Sequence, residues 1–415
     1  MLTPSERELI LICARQNVPA DLAERATAIL DSHLNWDELI ATAWRHGVGS
    51  LLFRNLQSLD RHGKIPPRAL HLLRQSYVRT SVRNQAHFAA IAELLDRFAA
   101  DKIDIMLLKG AALAPTIYRD PALRPFADID LLVREDKIDQ AKEILLAAGY
   151  EIAPELLSEK FNRKYHVNLP FVRRGPTPVH IELHWKLADP FSEIAFDHDA
   201  LFARANGIRI ADRPALVLST EDEIVYLASH LDNHGYLNHT IAARGRVAEF
   251  VFDELSGNRL IWFTDLQEIV SAGGFSWEIA LERTRVASAP GALAVTLQLL
   301  RELFGMTLPF PEELPPPKIS WPERMLSDYV LSLVDPGEKR RRSREFFLRR
   351  FLTTRKGFEL RLVRLVDVWK YIFPDRARIG RSYPTHVCGA LRHCLTMLME
   401  LELRRAFRFL RTRAS

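Results

Sequence analysis

An α+β fold, a small mixed β-sheet flanked by helical regions before and after it, is what the sequence predicts, and three observations carry it. Residues 1–100 and those from Ser219 onward space their apolar side chains at helical intervals. Between them lie short, bounded apolar runs of the kind that form strands. These runs come in the order strand, Gly, helix, loop, strand, helix and then two more strands, so sheet and helix are interleaved. The implied organisation is an N-terminal helical region at 1–100, an α/β core at 101–215, a helical domain at 216–335 and a basic helical region at 336–415.

The elements follow in chain order. Asn35 is placed to cap a helix whose first turn holds Asp37 and Glu38, with Ile40, Ala43 and Trp44 continuing one face. Ser81–Ala100 repeats Phe88, Ile91, Leu94, Leu95 and Phe98 at helical spacing. Ile103–Leu108 is a short apolar strand broken by Lys109-Gly110, after which Ala111–Tyr118 is again helical in composition. Asp120-Pro121 and Arg124-Pro125 mark a loop. Ala127–Val133 is a second strand, Lys137–Ala148 a helix closed by Gly149, and Tyr165–Val172 and Val179–Trp185 two further strands around the turn at Arg173, Arg174 and Gly175. Thr220 ahead of Glu221-Asp222-Glu223 opens the next helix. Glu312–Pro317 is a proline-rich linker, and Trp321–Val334 reads as helix.

Bulk properties bound the class. The chain has 415 residues, 47% hydrophobic and 26% charged, which suits a globular protein of two or three domains. No apolar run approaches the roughly 20 residues that span a bilayer. The N-terminus lacks the basic-then-apolar pattern of a signal peptide, so a cytoplasmic address is the default expectation. Three scattered cysteines do not make a disulfide framework. The net charge of +5 conceals an asymmetry: residues 339–415 hold 21 Lys/Arg against 6 Asp/Glu, and residues 1–338 hold 36 against 46. Such a tail can meet phosphates or anionic lipid, or dock on the acidic body of its own chain.

The chemistry-bearing pattern begins with Asp128-Ile129-Asp130. On a strand, residues two apart project to the same face, so the two carboxylates point together. Held side by side they repel unless a cation lies between them. Magnesium prefers such hard oxygen ligands and leaves room for substrate phosphates. Without further support the pair reads equally as exposed carboxylates on a half-buried strand. In His180-Ile-Glu182-Leu-His184-Trp185 the alternation puts His180, Glu182 and His184 on one face and Val179, Ile181, Leu183 and Trp185 on the other. Glu182 therefore qualifies as a third carboxylate, and three on neighbouring strands suit a two-metal site for in-line displacement at phosphorus. A rival zinc set of His180, Glu182 and His184 leaves the aspartates unexplained; polar exposure is the simpler reading of both histidines. Third, a strand that runs into Gly110 and then a helix offers free N–H groups to an anion, with Lys109 adding charge.

The stretch LLKGAALAPTIYRDPALRPFADIDLLV resembles the signature of the uncharacterised bacterial nucleotidyltransferase family, within the polymerase-beta-like superfamily. NWDELIATAWRHGVGSLLFRNL, VHIELHWKL, STEDEIVYLASHL and YIFPDRARIGRSYP extend the resemblance over most of residues 35–385. It implies a glycine after the first strand, at Gly110, an aspartate pair at Asp128 and Asp130, and a third carboxylate at Glu182. The implied reaction is magnesium-dependent transfer of a nucleoside monophosphate from a nucleoside triphosphate to an acceptor hydroxyl, with release of pyrophosphate. Asp128, Asp130 and Glu182 are the expected catalytic and metal residues; Lys109, Gly110 and Arg124 are the expected nucleotide-binding ones. Ala111 stands where the superfamily often has Ser, which leaves open a degenerate, nucleotide-binding relative. The acceptor is open among a small molecule, a peptide, a protein and an RNA end.

His230 and His234 are four apart on the helix after Thr220, with His239 nearby, but no HExxH glutamate accompanies them, and packing or polar-face roles are the simpler reading. In the tail, Lys339–Arg342 is a basic run, and Phe346–Ile372 and Ala390–Leu410 read as basic amphipathic helices. Their aromatics are consistent with RNA stacking, an anionic membrane surface, or the core of a helical domain.

Overall fold

The computed structural model describes residues 2–308, apart from Arg61, 154–158, 160–162, 164–166, 189–193, 235–250 and 253–257. The chain divides into two units, Met1–Lys318 and Ile319–Ser415, and the described residues all belong to the first. The proline-rich linker, the helix at Trp321–Val334, the basic run, both basic helices and His239 lie outside the described residues.

Five helices come first: α1 (Pro4–Cys13), α2 (Ala20–Leu30), α3 (Trp36–Arg45), α4 (Gly49–Leu59) and the long α5 (Pro67–Ala100). As the sequence predicts, Asn35 caps α3, its side chain accepting from the Glu38 N–H at 3.1 Å. Leu39, Ile40 and Ala43 are buried, but Trp44 is 39% exposed, one position round the helix, with the Arg79 guanidinium stacked over its ring. Helix α5 begins at Pro67, well before Ser81, because the proline pair at 66–67 supplies a start that apolar spacing alone does not reveal.

Seven strands make one mixed sheet: β1 (Met106–Leu108), β2 (Asp128–Leu132), β3 (Glu151–Ile152), β4 (Asn168–Arg173), β5 (Val179–His184), β6 (Asn206–Ile210) and β7 (Arg213–Val217). Their order is β3-β4-β5-β2-β1-β7-β6. Helix α6 (Lys109–Thr116) leaves the end of β1, α7 (Ile138–Ala147) follows β2, and α8 (His198–Ala203) precedes β6. The C-terminal helices of this unit are α9 (Thr220–His234), α10 (Leu260–Ala272), α11 (Trp277–Val286) and α12 (Pro290–Phe304). None of the described helices is long and apolar enough to cross a membrane.

The β6–β7 hairpin had no counterpart among the predicted elements. Its two-residue turn is Ala211-Asp212, both at positive φ (45° and 64°), in place of the Asn-Gly or Asp-Gly pair that advertises such turns. The hairpin adds to the sheet because β7 runs parallel to β1, pairing Leu216 with Met106. Gly149, at φ 81°, closes α7 as predicted.

Alternation along the central strands assigns the two faces. Ile129 and Leu131 of β2, Ile181 and Leu183 of β5 and Leu107 of β1 join the main core under α5 and α7, with Ile91, Leu94, Phe98, Ile144 and Leu145. On the opposite face Met106, Leu108 and Leu132 pack with Phe202, Leu218 and Tyr226. Asp128, Asp130, Glu182 and His184 share this second face. It is covered by apolar packing at one end and lined by charge at the other.

Candidate active site

Parallel pairing of β2 with β5 opposes Asp130 to Glu182, Asp128 to His180 and Leu132 to His184. Antiparallel pairing of β1 with β2 opposes Leu108 to Asp130, so the next residue, Lys109, starts α6 beside the carboxylates. The aspartate pair and the third carboxylate, inferred from residues far apart in sequence, thus meet at mid-sheet.

Asp130 is the hub. It is 2% exposed, and its Oδ1 accepts from Lys109 Nζ at 2.8 Å and from His184 Nε2 at 2.9 Å. An ionised carboxylate only accepts, so the imidazole must donate through Nε2. The same nitrogen lies 3.3 Å from Glu182 Oε2, which also accepts from Asn168 Nδ2 at 2.7 Å. Burial alone would raise the Asp130 pKa, but the Lys109 ammonium and the His184 bond outweigh it and hold the group far below the carboxylate range. Burial likewise works against the charged forms of Lys109 and His184. For both, the neighbouring carboxylates prevail and push the pKa up. Asp128 behaves differently: burial, then the like charges of Asp130 and Glu182, push it up to about 6.

Lys109 enters its helix at φ 48°, a conformation that costs a side-chain-bearing residue energy and recurs where a site over-determines the backbone. Gly110 is required for a reason the sequence does not show. A Cβ there would lie 2.4 Å from Phe126 Cβ and 3.0 Å from Arg124 Nη1, so α6 presses on the chain just ahead of β2.

Arg124, expected near a phosphate, is 5% exposed and engaged by Asp265 of α10. Its Nε lies 2.9 Å from Oδ1 and its Nη2 2.6 Å from Oδ2, while Nη1 donates to the Pro125 carbonyl. The Tyr118 hydroxyl donates to the same carboxylate at 2.7 Å. This buried cluster bolts α10 to the loop that leads into the aspartate strand.

Four residues at or around this face escaped the sequence reading. His184 is 3% exposed and bonded to Asp130, which corrects its assignment to polar exposure; the packing of Leu132, Leu187 and Tyr226 closes over that end of the face. Its signal was present, since it shares a strand face with Glu182. Glu223 reads in the sequence only as helix-start acidity, yet it is 5% exposed, its Oε1 has no partner among the described residues, and burial followed by the Asp265 charge pushes it up to about 8. Tyr226, also on α9, is buried against Phe196 and within reach of the Lys109 and Asp130 charges, with its pKa raised by burial. Asp265 had no sequence signal, because its partner lies more than a hundred residues earlier. His230 packs edge-on against Trp262 at 5.0 Å, in keeping with a packing role.

Among the described residues, Asp130, Glu182 and His184 form one group able to hold a metal ion, with one ligand atom from each lying within 4.8 Å of the others. Two carboxylates with an imidazole, and Asp128 alongside, suit a divalent cation. The repulsion that raises the Asp128 pKa is what such a cation relieves.

The chain carries its clustered carboxylates on the central strands of a mixed sheet. It belongs to the uncharacterised nucleotidyltransferase family, whose model matches residues 32–305. Among solved structures it is similar to an antigenic nucleotidyltransferase-like protein from Paracoccidioides brasiliensis, at 16% identity and a TM-score of 0.28, over 51% of this chain and 92% of that one. No curated protein matches it.

Proposed function

We propose that this chain transfers a nucleoside monophosphate from a nucleoside triphosphate to an acceptor hydroxyl, at the face formed by Asp128, Asp130 and Glu182. The observation that carries the reading is the pairing of Asp130 with Glu182 across β2 and β5, with Asp128 on the same face. Asp130, Glu182 and Asp128 would hold magnesium, with His184 either a further ligand or the group that orients Asp130. Bound there, magnesium would supply charge neutralisation for the triphosphate during in-line displacement at phosphorus.

The chain's own groups do the rest. The acceptor oxygen bonds to the α-phosphorus, the bond to the β-phosphate oxygen breaks, pyrophosphate leaves, and the hydroxyl proton passes to Glu182. Lys109 brings a positive charge on the phosphate side, and Gly110, expected to let the backbone approach a phosphate, instead lets α6 seat against Phe126. Arg124, committed to Asp265, contributes by holding the loop before β2. Tyr226 and Leu132 close one end of the face against water. The acceptor class stays open among small molecules, peptides, proteins and RNA ends.

A second reading has support in one contact. Lys109 Nζ already neutralises Asp130 at 2.8 Å, and Ala111 replaces the serine often found there. A chain so arranged can keep nucleotide binding without turnover. Melting temperature with each nucleoside triphosphate, with and without magnesium, tests both readings, because a ligand of the folded state must raise it. The expected result is a magnesium-dependent rise that Asp130→Asn abolishes. Equal shifts in wild type and variant would remove the carboxylate face from the assignment. Binding without pyrophosphate release, across a panel of acceptors, would favour the second reading.

A further inference from the structure

Lys109 is built into the carboxylate face by the chain on either side of it. Leu108, the last residue of β1, is the register partner of Asp130, so Lys109 leaves the sheet directly beside the hub. Its own backbone is held at φ 48°, and the next residue, Gly110, is pressed so closely on Phe126 that a Cβ would lie 2.4 Å from Phe126 Cβ. The side chain is 20% exposed, the Asp130 side chain 3%, and Nζ meets Oδ1 at 2.8 Å. Exposed ion pairs exchange partners freely. This ammonium is a resident cation on a buried carboxylate.

The arrangement bears on how many metal ions the face can take. One group of ligands is present: Asp130, Glu182 and His184. His184 Nε2 lies 2.9 Å from Asp130 Oδ1 and 3.3 Å from Glu182 Oε2, a spacing suited to neighbouring ligands of one ion at bond lengths of about 2.1 Å. Asp128 stands outside that group, and among the described residues it joins no second group of three. Paired ions in phosphoryl-transfer sites lie about 3.5–4 Å apart and share a carboxylate. A second ion here would have to use Asp128 and share Asp130, where the ammonium already sits. A dication and an ammonium on one carboxylate repel strongly where solvent screening is weak. The charges agree. A metal-bound imidazole is neutral, and three carboxylates with one ammonium leave two negative charges, which a single divalent ion cancels.

We propose that the Lys109 ammonium takes the place of one ion of a two-metal site: the face binds a single divalent cation, and Lys109 supplies the second positive charge. The inference rests on the proposed reaction for its catalytic meaning, since ion and ammonium together would neutralise the phosphates, but the ion count is independent of turnover. It gives the Lys109–Asp130 contact a working role in place of a blocking one.

Electron paramagnetic resonance of the full chain loaded with Mn2+ tests it, with and without a mixture of non-hydrolysable α,β-methylene nucleoside triphosphates. Two Mn2+ ions at the separation of a paired site couple magnetically, and a lone ion does not. Wild type should bind one uncoupled ion in both conditions. Lys109→Met, which keeps the apolar stem and removes the charge, should bind two and show the coupled signal with the nucleotides. Lys109→Arg should stay at one, and Lys109→Met with Asp128→Asn should return to one. If Lys109→Met does not fold alone, Mn2+ supplied during refolding should restore it, and failure of that rescue counts against the inference. A coupled pair in wild type overturns it, as does one ion in both wild type and Lys109→Met. An ion bound by Lys109→Met but not by wild type also overturns it, because the ammonium would then block the site. No ion in either chain removes both the inference and the carboxylate face as a metal site. Pyrophosphate release reads the reaction separately. Turnover with a coupled pair sinks the lysine assignment alone, and the expected ion counts without turnover on any acceptor sink the reaction alone.

Discussion

The two flanks of the aspartate strand are built in opposite ways. On the β5 side two carboxylates are met, Asp130 by Lys109 and His184, and Glu182 by Asn168 and the same imidazole, while His184 Nδ1 is buried without a partner among the described residues. On the side of α5, α9 and α10 several polar atoms have no partner: Arg83 Nε, both ring nitrogens of His87 and Glu223 Oε1 are buried without one among the described residues. Between the flanks stands one fully compensated brace, Arg124 with Asp265 and Tyr118. Met charges define geometry before any ligand arrives. Unpartnered buried polar atoms carry a standing desolvation cost that the rest of the fold must offset.

The comparison breaks most readily at the brace. Asp265→Ala would leave the Arg124 guanidinium buried and alone, a change worth about 3–5 kcal/mol. Urea unfolding should show the midpoint falling with the slope unchanged. A small effect would mean that the brace is open enough for the Arg124 guanidinium to reach solvent or another acceptor once Asp265 is gone.

Gly110→Ala tests how tightly α6 is pressed against the approach to β2. The added Cβ would meet Phe126 at 2.4 Å, and overpacking of that kind costs about 1–3 kcal/mol. The same denaturation experiment reads it. Because Lys109 precedes the clash, the variant should also weaken nucleotide binding at temperatures where it remains folded.

Glu223→Gln has the smallest expected effect and sharpens the comparison through pH. Burial and Asp265 push the native carboxyl up to about 8 from an ordinary 4.5. A group raised in the folded state stabilises fully below its unfolded value, and that contribution is lost as pH rises through about 8. The glutamine variant, which cannot ionise, should therefore unfold at higher urea than wild type at pH 9, by roughly 1–2 kcal/mol. At pH 4 the advantage should be gone. A difference independent of pH would show that Glu223 is neutralised by a partner in the native protein.

Much of this arrangement was legible before any coordinates. Period-two alternation placed Asp128 with Asp130, and Glu182 with His184, because side-chain direction on a strand depends on parity alone. It also set Ile181 and Leu183 on the face opposite Glu182. His184 was visible as a face-mate of Glu182 but misread, since parity says which way a side chain points and not what lies over it. The same limit applies to Glu223, where helix-start acidity and inward burial look alike in one dimension.

The sequence by itself determined the α+β class, the helical flanks, the carboxylate strands and the glycine after β1, because periodicity, turn chemistry and strand parity act over a few neighbouring residues. Only the tertiary structure decided that Asp130 opposes Glu182, that Lys109 and His184 close on one oxygen, and that Arg124 is bound to Asp265. Those are long-range pairings, and they depend on strand order and on which helices pack over which face. The weak-signal hairpin at Ala211-Asp212 shows the same division: its strands are defined by joining β1, a partner about a hundred residues away, and not by anything in the turn.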